Sequence, residues 1–370
     1  HLRQRLGYSW SIVGCIDPDG MRLNEGWFSG SLDRAEYGRR FYRPASDEQV
    51  EWTFPFAYKE AWFDRVMPET LALMRLIDEI RPAFMCSLHN GELGGVYYYL
   101  SSAAPELYPV LHGLPEHFGL PLDTGEPEVP YVPLYAPAIY GEISMREAYD
   151  YAAGLGLDPV EATSAGDSSN SYTARYGTFS LVSELPYWVH PDADDQSPST
   201  RRYDTVLTER AAQLAELSEL LEGVLDEVAA DVRIDSPFLR ATRKFAPLFG
   251  RRAAQEAKRA ALGESNRPAT VAEVFTGADL VHCFRLRYGG MALRALDAEI
   301  GAGNGTPRVR AAKRRLEVLY ERFSNEARAV SPASVVPLRS LVGVQYGAIL
   351  AGASYAAGRA AGGAAAGGAG

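Results

Sequence analysis

The apolar positions of this chain change their rhythm near residue 200. Before that point they fall in short runs. Trp10-Ser-Ile-Val-Gly-Cys-Ile16 reads as a buried strand, stopped by the turn-forming Asp17-Pro18-Asp19-Gly20. A helix is expected from Pro68, which suits a first helical turn, through Leu71, Met74, Ile77 and Ile80, with Pro82 ending it. Phe84–Leu88 then reads as a second buried strand that ends at His89, and Thr178–Ser183 as a further one that ends at Glu184. Gly94-Gly95 leads into an apolar run, Val96–Leu100. A strand, a helix and a strand in that order predict a parallel βαβ unit of an α/β sheet.

After residue 200 the period becomes helical. Leu207, Ala211, Leu214, Leu217, Leu221, Val224 and Val228 recur at steps of three and four, an amphipathic helix. Ser236-Pro237 opens another, Thr270 with Glu273 forms a capping box, and Thr306-Pro307 starts a basic helix through Tyr320. The polar run Asp192–Arg201 separates the two zones. Leu341–Gly358 carries no charge but is rich in Gly, Ala and Ser and holds Gln345, so it is expected to pack on the body as a small-residue helix rather than cross a membrane. The expected division is a catalytic α/β region over 1–195, a helical region over 196–330, the small-residue helix over 331–358 and a disordered Ala/Gly tail over 359–370.

Composition narrows the function classes. The chain has 370 residues, 46% of them hydrophobic and 23% charged, as in an ordinary globular protein with a sizeable core. A net charge of −10 argues against a general nucleic-acid binder, which needs a basic surface. Three widely spaced cysteines make neither a disulfide framework nor a thiolate zinc site; Cys15 and Cys86, in apolar runs, are expected in the core. No secretory signal opens the chain. It begins at His1 without Met, which reads as the interior of a longer protein, and a cytoplasmic setting is expected.

Three polar signals, Asp17-Pro-Asp-Gly20, His89 and Glu184, stand at the ends of three predicted strands, where open α/β sheets build their sites. A His and a Glu among them point to a metal-assisted hydrolase. In this order Asp17-Pro18-Asp19-Gly20, Ser87-Leu88-His89-Asn90 and Tyr176-Gly-Thr-Phe-Ser-Leu-Val-Ser-Glu184-Leu185 resemble the carboxypeptidase A-like zinc metallopeptidases. The loop Ala165–Tyr176 resembles the segment before the last of these strands. The resemblance covers residues 10–190. It implies a mixed-sheet α/β/α sandwich, incomplete at its N-terminus, and a zinc held by two His and a Glu. His89 would be one ligand and Glu184 the general base acting on a zinc-bound water. The substrate would be a peptide trimmed at its C-terminus, or a small amide.

The chain departs from the family in two places. The family's first ligand pair, His-x-x-Glu, lies upstream of the Pro-Asp-Gly turn, and no such pair precedes Asp17 here; those ligands are expected to be absent from this chain. An alternative mapping takes His89-Asn-Gly-Glu92 as the pair and His112, His117 or His190 as third ligand. The family's Asn-Arg pair, which grips the substrate carboxylate, reads Asn24-Glu25 here. Arg22, Asn24, Arg175 and Tyr176 are therefore the substrate-binding candidates, with Arg43 and Tyr172 as substitutes. An aspartoacylase-like deacylase of N-acyl amino acids and an inactive scaffold are the rival readings. His282, on an apolar helix face, is expected to be a core residue.

Overall fold

The structure, a computed structural model, describes residues 7–28, 33–330 and 334–367. In chain order the first zone runs α1 (Pro18–Phe28), α2 (Arg34–Arg40), a hairpin of β1 (Phe56–Tyr58) and β2 (Ala61–Phe63), α3 (Pro68–Ile80), β3 (Phe84–Gly94), β4 (Tyr97–Leu100), α4 (Tyr108–His117), β5 (Leu134–Ala136), β6 (Ile139–Gly141), α5 (Met145–Gly154), α6 (Pro159–Ala162), α7 (Ser169–Thr173) and β7 (Phe179–Val189). The second runs β8 (Pro198–Arg202), α8 (Tyr203–Val228), α9 (Pro237–Ala260), β9 (Pro268–Thr270), α10 (Val271–Gly301), α11 (Pro307–Val330), β10 (Ser334–Val335) and α12 (Leu338–Gly367).

A mixed six-stranded sheet is the centre of the first zone. Its middle strand is β7. β3 pairs with it in parallel from Phe84↔Phe179 to Gly94↔Val189. β4 pairs antiparallel, Tyr97↔Glu184 through Leu100↔Leu181. β6 and β5 extend the sheet beyond β4, and β10 adds two residues to β7. Between β3 and β4 the chain turns at Gly94, whose φ of +144° excludes a side chain, and at Gly95, where a Cβ would sit 2.2 Å from the Leu122 backbone.

One face of this sheet is a dry core. Tyr98, Leu100, Ile139, Phe179, Leu181 and Leu185 are buried there under α4 and α12. The small residues of α12 allow the close approach: a Cβ at Gly343 would lie 2.2 Å from the Phe118 ring. The small-residue helix is thus packed on the body as its composition implied, and none of the helices among the described residues is long and apolar enough to cross a membrane. α12 continues to Gly367, past the start of the expected disordered tail, because Ala sustains a helix without tertiary help. Residues 368–370 and 331–333 lie outside the described residues.

The second zone is helical as expected. Leu214, Leu217, Leu221 and Val228 face Phe245, Phe249, Met291, Leu293, Leu316 and Phe323 in one core. Ser236 caps α9, and Thr270 with Glu273 closes the capping box on α10. Ala35 and Tyr42 join this core, so the boundary near 195 does not divide the packing. Two buried ion-pair networks join the zones. Glu92 of β3 binds Arg34 of α2 and Arg287 of α10, and Arg34 reaches Asp279. Arg210 of α8 binds Glu126 and Glu256, each at 2.6 Å.

Three expectations are corrected. Trp10–Ile16 is not a strand: Trp10, Ile12 and Val13 are 38%, 88% and 48% exposed, because no strand among the described residues is there to take up their backbone groups. The predicted βαβ unit therefore has no first strand, and the parallel pair is β3 with β7. Asp17-Pro-Asp-Gly20 opens α1 instead of ending a strand. Asp17 Oδ1 accepts from the Gly20 amide at 2.8 Å, and Pro18 takes the first-turn position; helix starts and turns share this residue chemistry. Cys15 is exposed rather than buried, while Cys86 is half-buried.

Replacing Arg210 by Ala would leave Glu126 and the fully buried Glu256 each one partner short. Urea unfolding is expected to show a loss of about 3 kcal/mol, as for other broken buried pairs.

Candidate functional site

Residues opposite one another on paired strands present their side chains to the same face. His89 is opposite Glu184, and Glu184 is opposite Tyr97. Three adjacent strands thus bring an imidazole, a carboxylate and a phenol together on the face of the sheet away from α12. They stand in mid-strand, since β3 and β7 each run on past the predicted ends at residues 89 and 184.

His89 Nδ1 lies 3.0 Å from Glu184 Oε1, and His89 Nε2 lies 3.3 Å from Glu51 Oε2. Glu51 comes from a single helical turn, Val50–Trp52. That turn is pinned where Thr70 Oγ1 donates to Val50 O at 2.7 Å and where the Gly166 amide donates to Trp52 O at 2.9 Å. From α12, Gln345 Nε2 donates to the His89 carbonyl at 2.9 Å, which gives this polar residue of the uncharged stretch Leu341–Gly358 its task. Glu184 is nearly buried, its side chain 9% exposed, whereas His89 keeps 30% and Glu51 38%. The site therefore keeps contact with solvent through His89 and Glu51.

The second half of the site lies across β4. Tyr97 Oη donates to Glu128 Oε1 at 2.5 Å. Glu128 is exposed and belongs to the Pro-rich crossing over this face, where Tyr99, Val132, Tyr140 and Val182 pack together. Arg252 of α9 donates to the Glu128 carbonyl at 2.9 Å. Arg43 completes the charge pattern; its guanidinium is held by Gln49 Oε1 at 3.0 and 3.2 Å.

The ionisation states follow from this geometry. Burial alone would depress the His89 imidazolium, but hydrogen bonds and charge from Glu184 and Glu51 hold it well above the usual histidine value. Burial would raise Glu51, and the His89 contact keeps it below the ordinary carboxylate value. Although Glu128 is exposed as a residue, its carboxyl is pushed up, first by desolvation and then by the charge of Glu184.

The remaining candidates stand elsewhere. Glu92 is not a partner of His89: positions i and i+3 of a strand face opposite sides, and its carboxylate is bound by Arg34, Arg287 and Cys283. His112 bonds the Pro137 carbonyl, His117 meets Phe118 edge-on, and His190 stacks on Phe275. His282 is half-buried on α10. Asn24 ties α1 to the chain at Tyr42 through both backbone groups of that residue, and Arg22 is exposed on α1. Arg175 is exposed and stacks over Tyr172, while Tyr172 and Tyr176 both bond Asp78. Those three precede β7, roughly 16 Å along the strand from Glu184 at about 3.3 Å per residue. They stand toward the other end of β7 from His89 and Glu184. Glu51, Tyr97 and Glu128 carried no motif.

The zinc that the carboxypeptidase resemblance implies does not fit these residues as they stand. Both ring nitrogens of His89 face carboxylates, so none is free to bind a metal. Among the described residues no group of three or more His, Cys, Asp or Glu side chains is arranged to hold one. No family model, curated protein or solved structure matches the chain.

A raised folded pKa means that the His89 pairing stabilises the fold fully below about 6.5 and that this contribution is lost as pH rises through the folded value. Histidine NMR is expected to show a ring titrating above free histidine, and Glu184→Gln should lower that midpoint. A Glu184→Gln protein whose His89 midpoint is unchanged would contradict the pairing.

Proposed function

We propose that this chain is a hydrolase of an amide bond next to a free carboxylate, either the last peptide bond of a peptide or the acyl bond of an N-acyl amino acid. The observation that carries the reading is the 3.0 Å contact between His89 and Glu184 on a water-reachable face. A carboxylate that is nearly buried, oriented by an imidazolium and still in contact with solvent has the chemistry of a general base. His89 occupies Oε1, and the other oxygen takes the proton of the attacking water. Glu51 holds the far side of the ring and so fixes its orientation. Arg43, whose charge acts on both Glu51 and Glu128, is the cation best disposed to meet the substrate carboxylate.

The aspartoacylase-like reading and the carboxypeptidase reading share this base and differ in the leaving group. The engagement of both His89 nitrogens favours a second reading, in which the fold is a scaffold that has lost the metal chemistry its resemblance implies.

The test is hydrolysis of N-acylated dipeptides and N-acyl amino acids by this chain. Glu184→Gln is expected to lower kcat by about 100-fold or more with little change in KM. Arg43→Ala should raise KM for substrates with a free carboxylate and leave their amidated analogues unaffected. Full activity in Glu184→Gln would remove the base from the site, and absence of hydrolysis by the unmutated chain would support the scaffold reading.

A further inference from the structure

The base accounts for one carboxylate of this face, and Glu128 remains. It does not fall there by chance of a mobile loop. Glu126, two residues before it, is anchored in the buried network with Arg210 and Arg259, and Arg252 holds the Glu128 carbonyl. Tyr97 reaches Glu128 from the sheet at 2.5 Å, and Tyr97 is the cross-strand partner of Glu184. Directly opposed residues carry their Cβ atoms about 5 Å apart, so the tyrosine that holds Glu128 is the direct cross-strand neighbour of Glu184.

We propose that Glu128 is the second catalytic carboxyl of the site, the general acid that gives its proton to the leaving nitrogen, with Tyr97 as the residue that positions it. The inference rests on the amide-hydrolase reading and adds to it the group that completes the proton inventory. Water loses a proton to Glu184 as its oxygen bonds to the carbonyl carbon. The carbon–nitrogen bond then breaks while Glu128 protonates the departing nitrogen. Glu128 is left as a carboxylate and Glu184 as a carboxylic acid. Proton exchange with solvent restores both groups, and the net change is amide plus water to acid plus amine.

Desolvation and then the charge of Glu184 raise Glu128 above the ordinary carboxyl value, which favours a protonated Glu128 in the acid role. The groups acting on Glu128 are Glu184, His89 and Arg43, together with Tyr97, Tyr99, Tyr131 and Asp123.

The experiment compares two probes that differ only in the leaving group: an N-acylated dipeptide, and the matching ester that releases a phenolate and needs no proton. Glu128→Gln should lose about 100-fold in kcat/KM on the peptide and stay within a few-fold on the ester, whereas Glu184→Gln should lose on both. Tyr97→Phe should follow Glu128→Gln more weakly. Carbon-13 NMR of the glutamate carboxyls, without substrate, should find Glu128 titrating above an ordinary carboxyl and moving down in Glu184→Gln. Equal losses of Glu128→Gln on both probes, or an ordinary Glu128 titration, would overturn the acid role alone. Failure of the unmutated chain to cleave either probe would overturn the hydrolase reading and the acid role with it.

Discussion

The parallel ladder between β3 and β7 is the constraint from which the rest of the site follows. Its register sets His89 opposite Glu184. Because side chains alternate along a strand, a slip of β3 by one residue would send His89 to the dry face under α12 and away from Glu184. The register is held by that dry face. Phe84, Cys86, Phe179, Leu181 and Leu185 can be buried under α12 only when the odd residues of β3 face the other way. Hydrophobic packing on one side of the sheet therefore decides which polar groups meet on the other.

The helical half takes part in the same arrangement. It is joined to the first zone by carboxylates and guanidinium groups that are almost wholly out of water, and such groups persist only when paired. Glu126 lies in that network two residues from Glu128, and Arg252 of α9 fixes the Glu128 backbone. The helices thus hold the Pro-rich crossing over the sheet, where a short loop by itself would not fix a side chain. The other network binds Glu92, so a residue that looked like half of a metal-ligand pair is a brace between β3 and the helices.

Where local rules decide, the amino-acid sequence was legible. Helix α3 starts and stops where Pro68 and Pro82 require, Thr270 and Glu273 close their capping box, and the apolar stripe of α8 is buried as its period demands. The two strands that carry His89 and Glu184 were also evident as apolar runs. Their lengths were not, because a strand ends where its partner ends and the partner is not encoded locally. Trp10–Ile16 shows the same limit from the other side: it has a strand's pattern and no neighbour to pair with.

What the sequence determined by itself was the class of the fold, the helices, and the pair of residues whose chemistry suggested a hydrolase. What only the tertiary structure decided was the company they keep. Glu51, Tyr97, Glu128 and Arg43 come from four separate segments with no shared motif, and Arg175 and Tyr176, close to Glu184 in the chain, lie at another end of its strand. The physical reason is that a site is assembled across strands, by register and burial. Sequence spacing measures distance along one strand only.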